Sequence, residues 1–316
     1  MRGTLLYLII TSLIWALSFG LIKRYLVGYD PLAVATVRLA LSLLVFAPFL
    51  RPLAVGGRRV ALSLALGAVQ FGAMYWLYIT AYGFLPAYGV ALLTIFTPLY
   101  VVLLENLLAR RWAWRHVAAG VLAIVGAATI VVDTFEGTGA VLGILLVQGS
   151  NLCFAAGQIG FRFLVREGRG AKDDRSDSSA NLSRVPEVSL LAWMYVGAFG
   201  LTAAASILFV DFDRVSFDST AILTLLYLGI LPTGVGFYLW NKGAARAGPG
   251  VLAAANNLKV PLAVLAAWFV FGEAIQSTAD ATGLWDMVMP YVRVLGGLAV
   301  ILAGLALANE PKTSRS

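Results

Sequence analysis

Three ionisable residues lie inside otherwise apolar stretches of the sequence: Lys259, Arg38 and Glu105. An ionised lysine near the centre of a bilayer costs about 2.5–3.5 kcal/mol on insertion scales. Its side chain is too short to carry the charge to an interface roughly 15 Å away. Lys259 is therefore predicted to face water, a charged partner or a bound molecule. A structural ion pair, or a neutral lysine hydrogen-bonded to an asparagine, is the alternative.

Two amides accompany this lysine. Asn256 lies three residues before Lys259, on the same face of a helix, and Asn257 flanks that face. The three residues together are predicted to bind the polar groups of a substrate.

The other two charges suggest complementary chemistry. Arg38 follows Pro31 by seven residues and is suited to a substrate carboxylate, with bonding to backbone carbonyls as the structural alternative. Glu105 follows Pro98 by seven residues and is predicted to carry a proton or a cation. An ion pair between Glu105 and one of the arginines at 110 and 111 is the alternative.

Further polar and aromatic residues at depth are predicted to line the same cavity. Asn151 and Gln158 are seven residues apart and share one helix face. The remaining candidates in this set are Gln70, Trp15, Tyr75 and Tyr238.

The composition indicates which elements must position these residues. Of 316 residues, 60% are hydrophobic and 12% are charged, far from the proportions of a soluble domain. We predict an all-α polytopic membrane protein, because ten stretches are apolar over about 20 residues. These segments, numbered 1 to 10, are 4–22, 31–50, 60–82, 87–108, 114–132, 138–163, 187–210, 219–241, 249–272 and 292–309.

The distribution of charge predicts the orientation. With the N-terminus inside, inner connections hold 17 Lys and Arg residues and outer connections hold 4. The positive-inside rule then places both termini in the cytoplasm, as in a multi-pass plasma-membrane protein. The net charge of +7 is thereby explained without a nucleic-acid partner.

Several classes of function lack the residues they need. A single cysteine and a single histidine leave no Cys- or His-based metal site and no internal disulfide. No P-loop, dinucleotide fingerprint, nucleophile elbow or zinc-protease motif occurs. We therefore expect no catalytic residues, no cofactor and no ATP-driven motor.

An internal repeat is the strongest pattern in the chain. Twelve residues separate Pro86 from Pro98, and twelve separate Pro249 from Pro261. The same pairing aligns Tyr75 with Tyr238. Five segments per copy is an odd number, so the second copy is predicted to be inverted, with a site near the midplane and alternating access.

The predicted division of the chain follows from this repeat. Residues 1–135 form the first repeat, and 136–165 form segment 6, which opens the second. The polar stretch 166–186 is predicted to be a flexible cytoplasmic linker, and 187–310 complete the second repeat.

Quoted stretches of the chain resemble a known family. IWALSFGLIKRYL (14–26), DPLAVATVR (30–38), the Pro98 and Pro261 helices and FGE (271–273) resemble the drug/metabolite transporter superfamily, EamA type. The resemblance implies ten helices in two inverted five-helix repeats around a central cavity. Glu273 matches the family's glutamate after helix 9. Arg110 stands at the equivalent position of the first copy and departs from the pattern.

These observations together predict a secondary active transporter of small metabolites, such as amino acids or related amphipathic carboxylates. Export is predicted as the direction. The expected partners are a small-molecule substrate and the lipid bilayer, with a monomer expected and a dimer as the alternative. An intramembrane lipid-modifying enzyme and a channel-like protein are the competing hypotheses.

Overall fold

The computed structural model describes residues 2–51, 55–108, 110, 138–170, 187–244 and 249–273, with isolated positions between 283 and 303. Within these residues the protein consists of helices joined by turns, without a strand. In the described part of the chain, seven helices are long and apolar enough to cross a membrane. Segment 5, most of segment 10, and positions 171–186 and 274–282 lie outside the described residues.

The described helices follow the predicted segments closely. Segments 1 and 2 form Arg2–Tyr25 and Pro31–Phe46, segments 6 and 7 form Thr138–Gly170 and Glu187–Phe209, and segment 9 forms Pro249–Phe269. Segment 6 therefore continues to Gly170, past the predicted start of the linker at 166.

Three segments are interrupted near their middles. Segment 3 comprises Gly57–Gly67, a π-helical stretch Ala68–Ala73 and Met74–Ala81. Segment 4 comprises Ala87–Leu93, a 3₁₀ turn Thr94–Phe96 and Thr97–Leu108. Segment 8 comprises Ser219–Leu228, a π-helical stretch Gly229–Val235 and Gly236–Ala244.

The interruptions in segments 4 and 8 coincide with prolines. Pro98 cannot donate the hydrogen bond that would otherwise reach the Thr94 carbonyl. The hydroxyl of Thr97 lies 2.8 Å from that carbonyl oxygen and is placed to donate to it. Pro232 lies inside the π-helical stretch of segment 8, whereas Pro261 lies inside a continuous helix.

Two aspartates explain where helices begin. The Asp30 carboxylate accepts hydrogen bonds from the backbone N–H groups of Leu32 and Ala33, both at 2.9 Å, and Pro31 occupies the first helical position. Asp218 caps segment 8 in the same way through the N–H of Ala221, at 2.7 Å.

The helices surround a central space. Segment 1 packs against segments 8 and 9, and segment 6 packs against segments 3 and 4. Segment 2 packs against segments 7 and 8, and segment 7 packs against segment 3. The crossing of segments 3 and 7 is very close, because a Cβ added to Gly67 would lie 1.9 Å from the Met194 carbonyl oxygen.

Candidate functional site

A cavity lies between these helices. Segments 1, 2, 3, 4, 6, 8 and 9 all contribute to its wall. Six aromatic residues and Met74 line it, and its seven polar residues comprise two cations, one amide and four hydroxyls. The aromatic residues are Trp15, Phe19, Tyr75, Tyr78, Phe154 and Phe237, and the polar residues are Arg38, Lys259, Asn151, Ser18, Thr94, Thr97 and Ser150.

Arg38 is only 2% exposed and is held from two sides. Its Nε donates to the Thr233 hydroxyl at 2.6 Å, and its Nη2 donates to the Tyr75 hydroxyl at 3.2 Å. The guanidinium carbon lies 4.2 Å from the centre of the Tyr75 ring. Nη1 has no hydrogen-bond partner among the described residues. An unsatisfied buried donor costs roughly 1–3 kcal/mol, and more when it is charged, so this atom is poised for a ligand.

Lys259 is 8% exposed and also faces the cavity. Its ammonium donates to the Asn256 side-chain oxygen at 3.3 Å and lies 5.2 Å from the centre of the Trp15 ring. Across the described part of the chain, neither this lysine nor Arg38 forms an ion pair. The cavity thus contains two cations that no protein carboxylate in the described ranges neutralises.

Asn151 connects the cavity to the break in segment 4. Its Nδ2 donates to the Leu93 carbonyl at 2.8 Å, and its Oδ1 lies 3.0 Å from the Thr97 hydroxyl. The amide therefore stabilises the 3₁₀ turn and leaves polar atoms at the cavity wall.

The structure brings five of the predicted residues together in the wall: Lys259, Arg38, Asn151, Tyr75 and Trp15. The Trp15 indole N–H also donates to the Pro232 carbonyl at 2.9 Å. Trp15 therefore satisfies a backbone carbonyl in the π-helical stretch of segment 8.

Four other predicted residues are buried outside the wall: Asn256, Asn257, Gln70 and Gln158. Asn256 acts on the cavity indirectly, through its hydrogen bond with Lys259. Gln70 lies in the interface with segment 6, because a Cβ on Gly157 would lie 2.2 Å from the Gln70 Cβ. Sequence spacing gave these residues the right depth but did not give their rotation about the helix axis.

Tyr238 also lies outside the wall, where its neighbour Phe237 stands instead. Its ring packs near Phe46 and lies 5.4 Å from the Lys242 ammonium. The pairing that aligns Tyr75 with Tyr238 counts positions along the chain and does not give the rotation of each side chain about its helix axis.

Glu105 lies away from the cavity and forms an ion pair with Arg162 of segment 6. The two side chains are 47% and 34% exposed, respectively. The partner seen among the described residues is therefore Arg162 and not Arg110, and Arg111 lies outside the described residues.

Thr233 is the functional residue that sequence reasoning missed. It contacts Arg38 and Tyr75 through its hydroxyl, and its carbonyl accepts a hydrogen bond from Tyr195. A signal was present, since the pairing of the two repeats aligns Thr233 with the buried Gln70.

Comparison with known proteins decides the family. The model of the EamA-like transporter family matches residues 2–132 and 178–279, more than half of the chain. This chain belongs to the EamA-like transporter family. It is therefore a multi-pass membrane protein of a transporter family.

Named relatives of this EamA-like transporter carry small metabolites. The biotin transporter of Salmonella typhimurium is 32% identical over 98% of this chain and 94% of its own length. The biotin transporter of Escherichia coli K12 is 34% identical over the same shares. A probable terminal-alkyne amino-acid exporter of Streptantibioticus cattleyicolor is 27% identical, again over 98% and 94%. A solved structure at 18% identity superposes with a TM-score of 0.61 over 98% of this chain and 99% of its own, which shows the shared fold.

Glu273 belongs to a second polar cluster at the end of segment 9. Its carboxylate accepts hydrogen bonds from the N–H groups of Ala87 and Tyr88, at 2.8 and 3.2 Å, at the start of segment 4. Lys23 donates to the carbonyls of Tyr82 and Leu85 in the adjoining turn, at 2.8 and 3.0 Å. Burial raises the pKa of Glu273, although the two backbone hydrogen bonds and the charge of Lys23 oppose the shift. The cluster joins segments 1, 4 and 9 at one end of the bundle.

Proposed function

We propose that this EamA-like protein is a secondary active transporter of small amphipathic carboxylates, with biotin as the first candidate. The observation that carries the proposal is the pair of buried cations, Arg38 and Lys259, in a cavity whose other lining residues are aromatic, neutral polar or, in one case, methionine. Burying a charge without a partner is costly, so an anionic ligand would offset that cost.

Biotin fits this lining chemically. It combines an apolar bicyclic body with a carboxylate at one end and a ureido group at the other. The aromatic wall would cover the body, and the cations with Asn151 would bind the polar ends. The names of the relatives at 32–34% identity support the same substrate.

An amino acid is the second candidate, favoured by the name of the 27% identical exporter. Its carboxylate could use the same cations. Its ammonium group would need an acceptor of negative charge, and none of the described residues of the wall is acidic. The lining therefore favours a carboxylate without an ammonium group.

Alternating access between two inverted repeats is the proposed mechanism. The pairing that aligns Pro98 with Pro261 aligns 68–73 with 231–236, and π-helical stretches occur at 68–73 and 229–235. The repeat pairs segment 1 with 6, segment 3 with 8 and segment 4 with 9. The packing is consistent with this pairing, since segment 1 contacts segments 8 and 9 while segment 6 contacts segments 3 and 4. Rocking of one half against the other would move the site between the two sides.

Direction and coupling remain predictions. We propose a monomer in the plasma membrane with both termini in the cytoplasm, which the bias of 17 inner to 4 outer cations supports. Export stays the predicted direction. Proton coupling through Glu105 stays a prediction as well.

Uptake of labelled biotin by proteoliposomes tests the proposed substrate. Uptake is expected to saturate, and unlabelled biotin and other small apolar carboxylates should compete with it. Inhibition by amino acids instead would favour the second candidate. Flux that does not saturate would favour a channel.

A further inference from the structure

The two cations of the cavity differ in how they are held. A guanidinium has five N–H donors in a rigid fork, whereas an ammonium is a point charge on a flexible stem. Arg38 uses Nε for Thr233 and Nη2 for Tyr75, and Nη1 has no partner among the described residues. The side chain is nearly inaccessible and lines the cavity.

The contacts that Arg38 makes fix the direction of its remaining donors. Thr233 occupies the Nε side of the fork, and the ring of Tyr75 lies 4.2 Å from the guanidinium carbon. The Tyr75 hydroxyl and the Thr233 hydroxyl are also 3.0 Å apart, so the three groups close a small hydrogen-bonded ring. Nη1 has no partner among the described residues and Nη2 has a second N–H beyond the one given to Tyr75, and two N–H groups on one edge match the two oxygens of a carboxylate.

Thr233 is itself held firmly. Its carbonyl accepts a hydrogen bond from Tyr195 of segment 7. The neighbouring Pro232 carbonyl accepts from Trp15 at 2.9 Å, and the Gly229 carbonyl accepts from Ser42 at 2.8 Å. Side chains from segments 1, 2 and 7 thus anchor the π-helical stretch that carries Thr233. The hydroxyl has a fixed position against which Arg38 is aligned.

Lys259 is suited to a different part of the ligand. Its ammonium already donates to Asn256 and lies over Trp15, and it has no second group to set its direction. A point charge of this kind fits a single acceptor, such as a ureido carbonyl oxygen.

We infer that Arg38 is the residue that binds the substrate carboxylate and that Thr233 is a positioning residue that orients it. This inference deepens the proposed function and rests on it for the nature of the substrate. Thr233 belongs to the second repeat and Arg38 to the first, so the carboxylate site is formed between the two halves.

The test compares a carboxylate with its neutral amide. Pentanoate and pentanamide share the chain length of the biotin side arm and differ in charge. Stabilisation of the detergent-solubilised protein by each compound is measured by thermal shift, which reports binding to the folded state. The wild-type protein is expected to be stabilised by pentanoate in a saturable way and not by pentanamide.

Three variants separate orientation from structure. Thr233→Val keeps the shape of the side chain and removes the hydroxyl, and it is expected to weaken pentanoate binding about tenfold. Thr233→Ser retains the hydroxyl and is expected to restore binding. Thr202→Val is the matched control, because that threonine is buried and bonded only to its own helix backbone at the Ala198 and Phe199 carbonyls.

Each outcome decides the inference. Equal stabilisation of wild type and Thr233→Val by pentanoate, or no preference of the wild type for pentanoate over pentanamide, would overturn it. Pentanoate binding that depends on Thr233, together with no transport of biotin, would support the carboxylate site and contradict biotin as the substrate. The two proposals can therefore fail separately.

Discussion

Arg38 and Lys259 determine the chemistry of the cavity, because they are its charged residues in the described part of the chain. Each is anchored by a neutral partner, Thr233 for the arginine and Asn256 for the lysine. A neutral partner orients a charge without cancelling it. Both cations therefore remain available to a ligand that brings negative charge or lone pairs.

Replacing Lys259 with methionine is expected to reduce transport at least about tenfold. Loss of a hydrogen bond to a charged group costs about 1.5–3 kcal/mol, and 1.4 kcal/mol is a factor of ten. The fold should persist, since exchanging an unpaired buried charge for an apolar chain is neutral or stabilising. Initial rates in proteoliposomes and melting in detergent measure the two effects.

Lys242→Met is the control for this variant. Lys242 is half-buried near the rings of Tyr7 and Tyr238 and does not line the cavity. Its replacement should leave transport near the wild-type rate. Normal flux in Lys259→Met would contradict a role for Lys259 in substrate binding.

Glu105 offers a separate test at the residue scale. If it carries protons, Glu105→Gln should abolish accumulation driven by a pH gradient and leave exchange of labelled for unlabelled substrate intact. If it only pairs with Arg162, both activities should survive, because a pair this exposed contributes about 0–1 kcal/mol. Arg162→Gln, which removes the same ion pair and keeps the carboxyl group, is the matched control.

The sequence indicated how far along its helix each candidate residue lies, but not the direction of its side chain about the helix axis. The apolar setting placed Lys259, Arg38 and Asn151 at the level of the cavity, where the structure also has them. Tyr238 lies outside the wall, where Phe237 stands, because alignment of the two copies gives a position along the helix but not the direction of the side chain. Thr233 was overlooked because a threonine beside a proline is unremarkable until its hydroxyl is seen against Arg38.

At the scale of the elements, segments 3 and 7 are joined by close glycine contacts. A Cβ on Gly197 would lie 2.0 Å from the Leu64 carbonyl oxygen, and one on Gly67 would approach the Met194 carbonyl equally closely. Both obstructing atoms are backbone, so neither can move aside without shifting a helix. These contacts hold together the helices that carry Tyr75 and Tyr195.

Gly197→Ala is therefore expected to destabilise the protein by about 1–3 kcal/mol, the usual cost of overpacking. Gly200 lies on the same helix with nothing within 4 Å of its added Cβ, which makes Gly200→Ala the matched control. The control should melt at or slightly above the wild-type temperature. Equal melting temperatures for the two variants would contradict the close crossing.

Glu273 lies beyond the end of the segment 9 helix, and its shifted pKa predicts how stability depends on pH. Burial raises its pKa on folding, so the folded state holds its proton more tightly than the unfolded state. Its contribution to stability is then greatest below the ordinary value of 4.5 and declines as pH rises through the raised pKa. As pH rises through that pKa, the melting temperature of the wild type should fall relative to that of Glu273→Gln.

The exposed Asp213 provides a control for this pH dependence, since Asp213→Asn should leave the profile of the wild type unchanged. If the melting temperature of the wild type instead rises with pH relative to that of Glu273→Gln, the hydrogen bonds from segment 4 and the charge of Lys23 outweigh burial.

For the whole molecule, we propose a carrier with its substrate cavity between two repeats. The family was predictable from short stretches of sequence, and the family model confirms it. Segments 1 to 4 and 6 to 8 were predictable because apolar length alone identifies a helix in a membrane. The site depends on how the segments pack, and the folded structure brings Arg38 of segment 2 against Thr233 of segment 8.

Counterflow is the measurement that tests the central claim most directly. Proteoliposomes loaded with unlabelled biotin are diluted into a trace of labelled biotin, without any ion gradient. A carrier with alternating access should concentrate the label inside transiently, and vesicles loaded with a neutral biotin amide should show much less. Absence of the transient accumulation, with the protein folded and correctly inserted, would contradict biotin transport by this cavity.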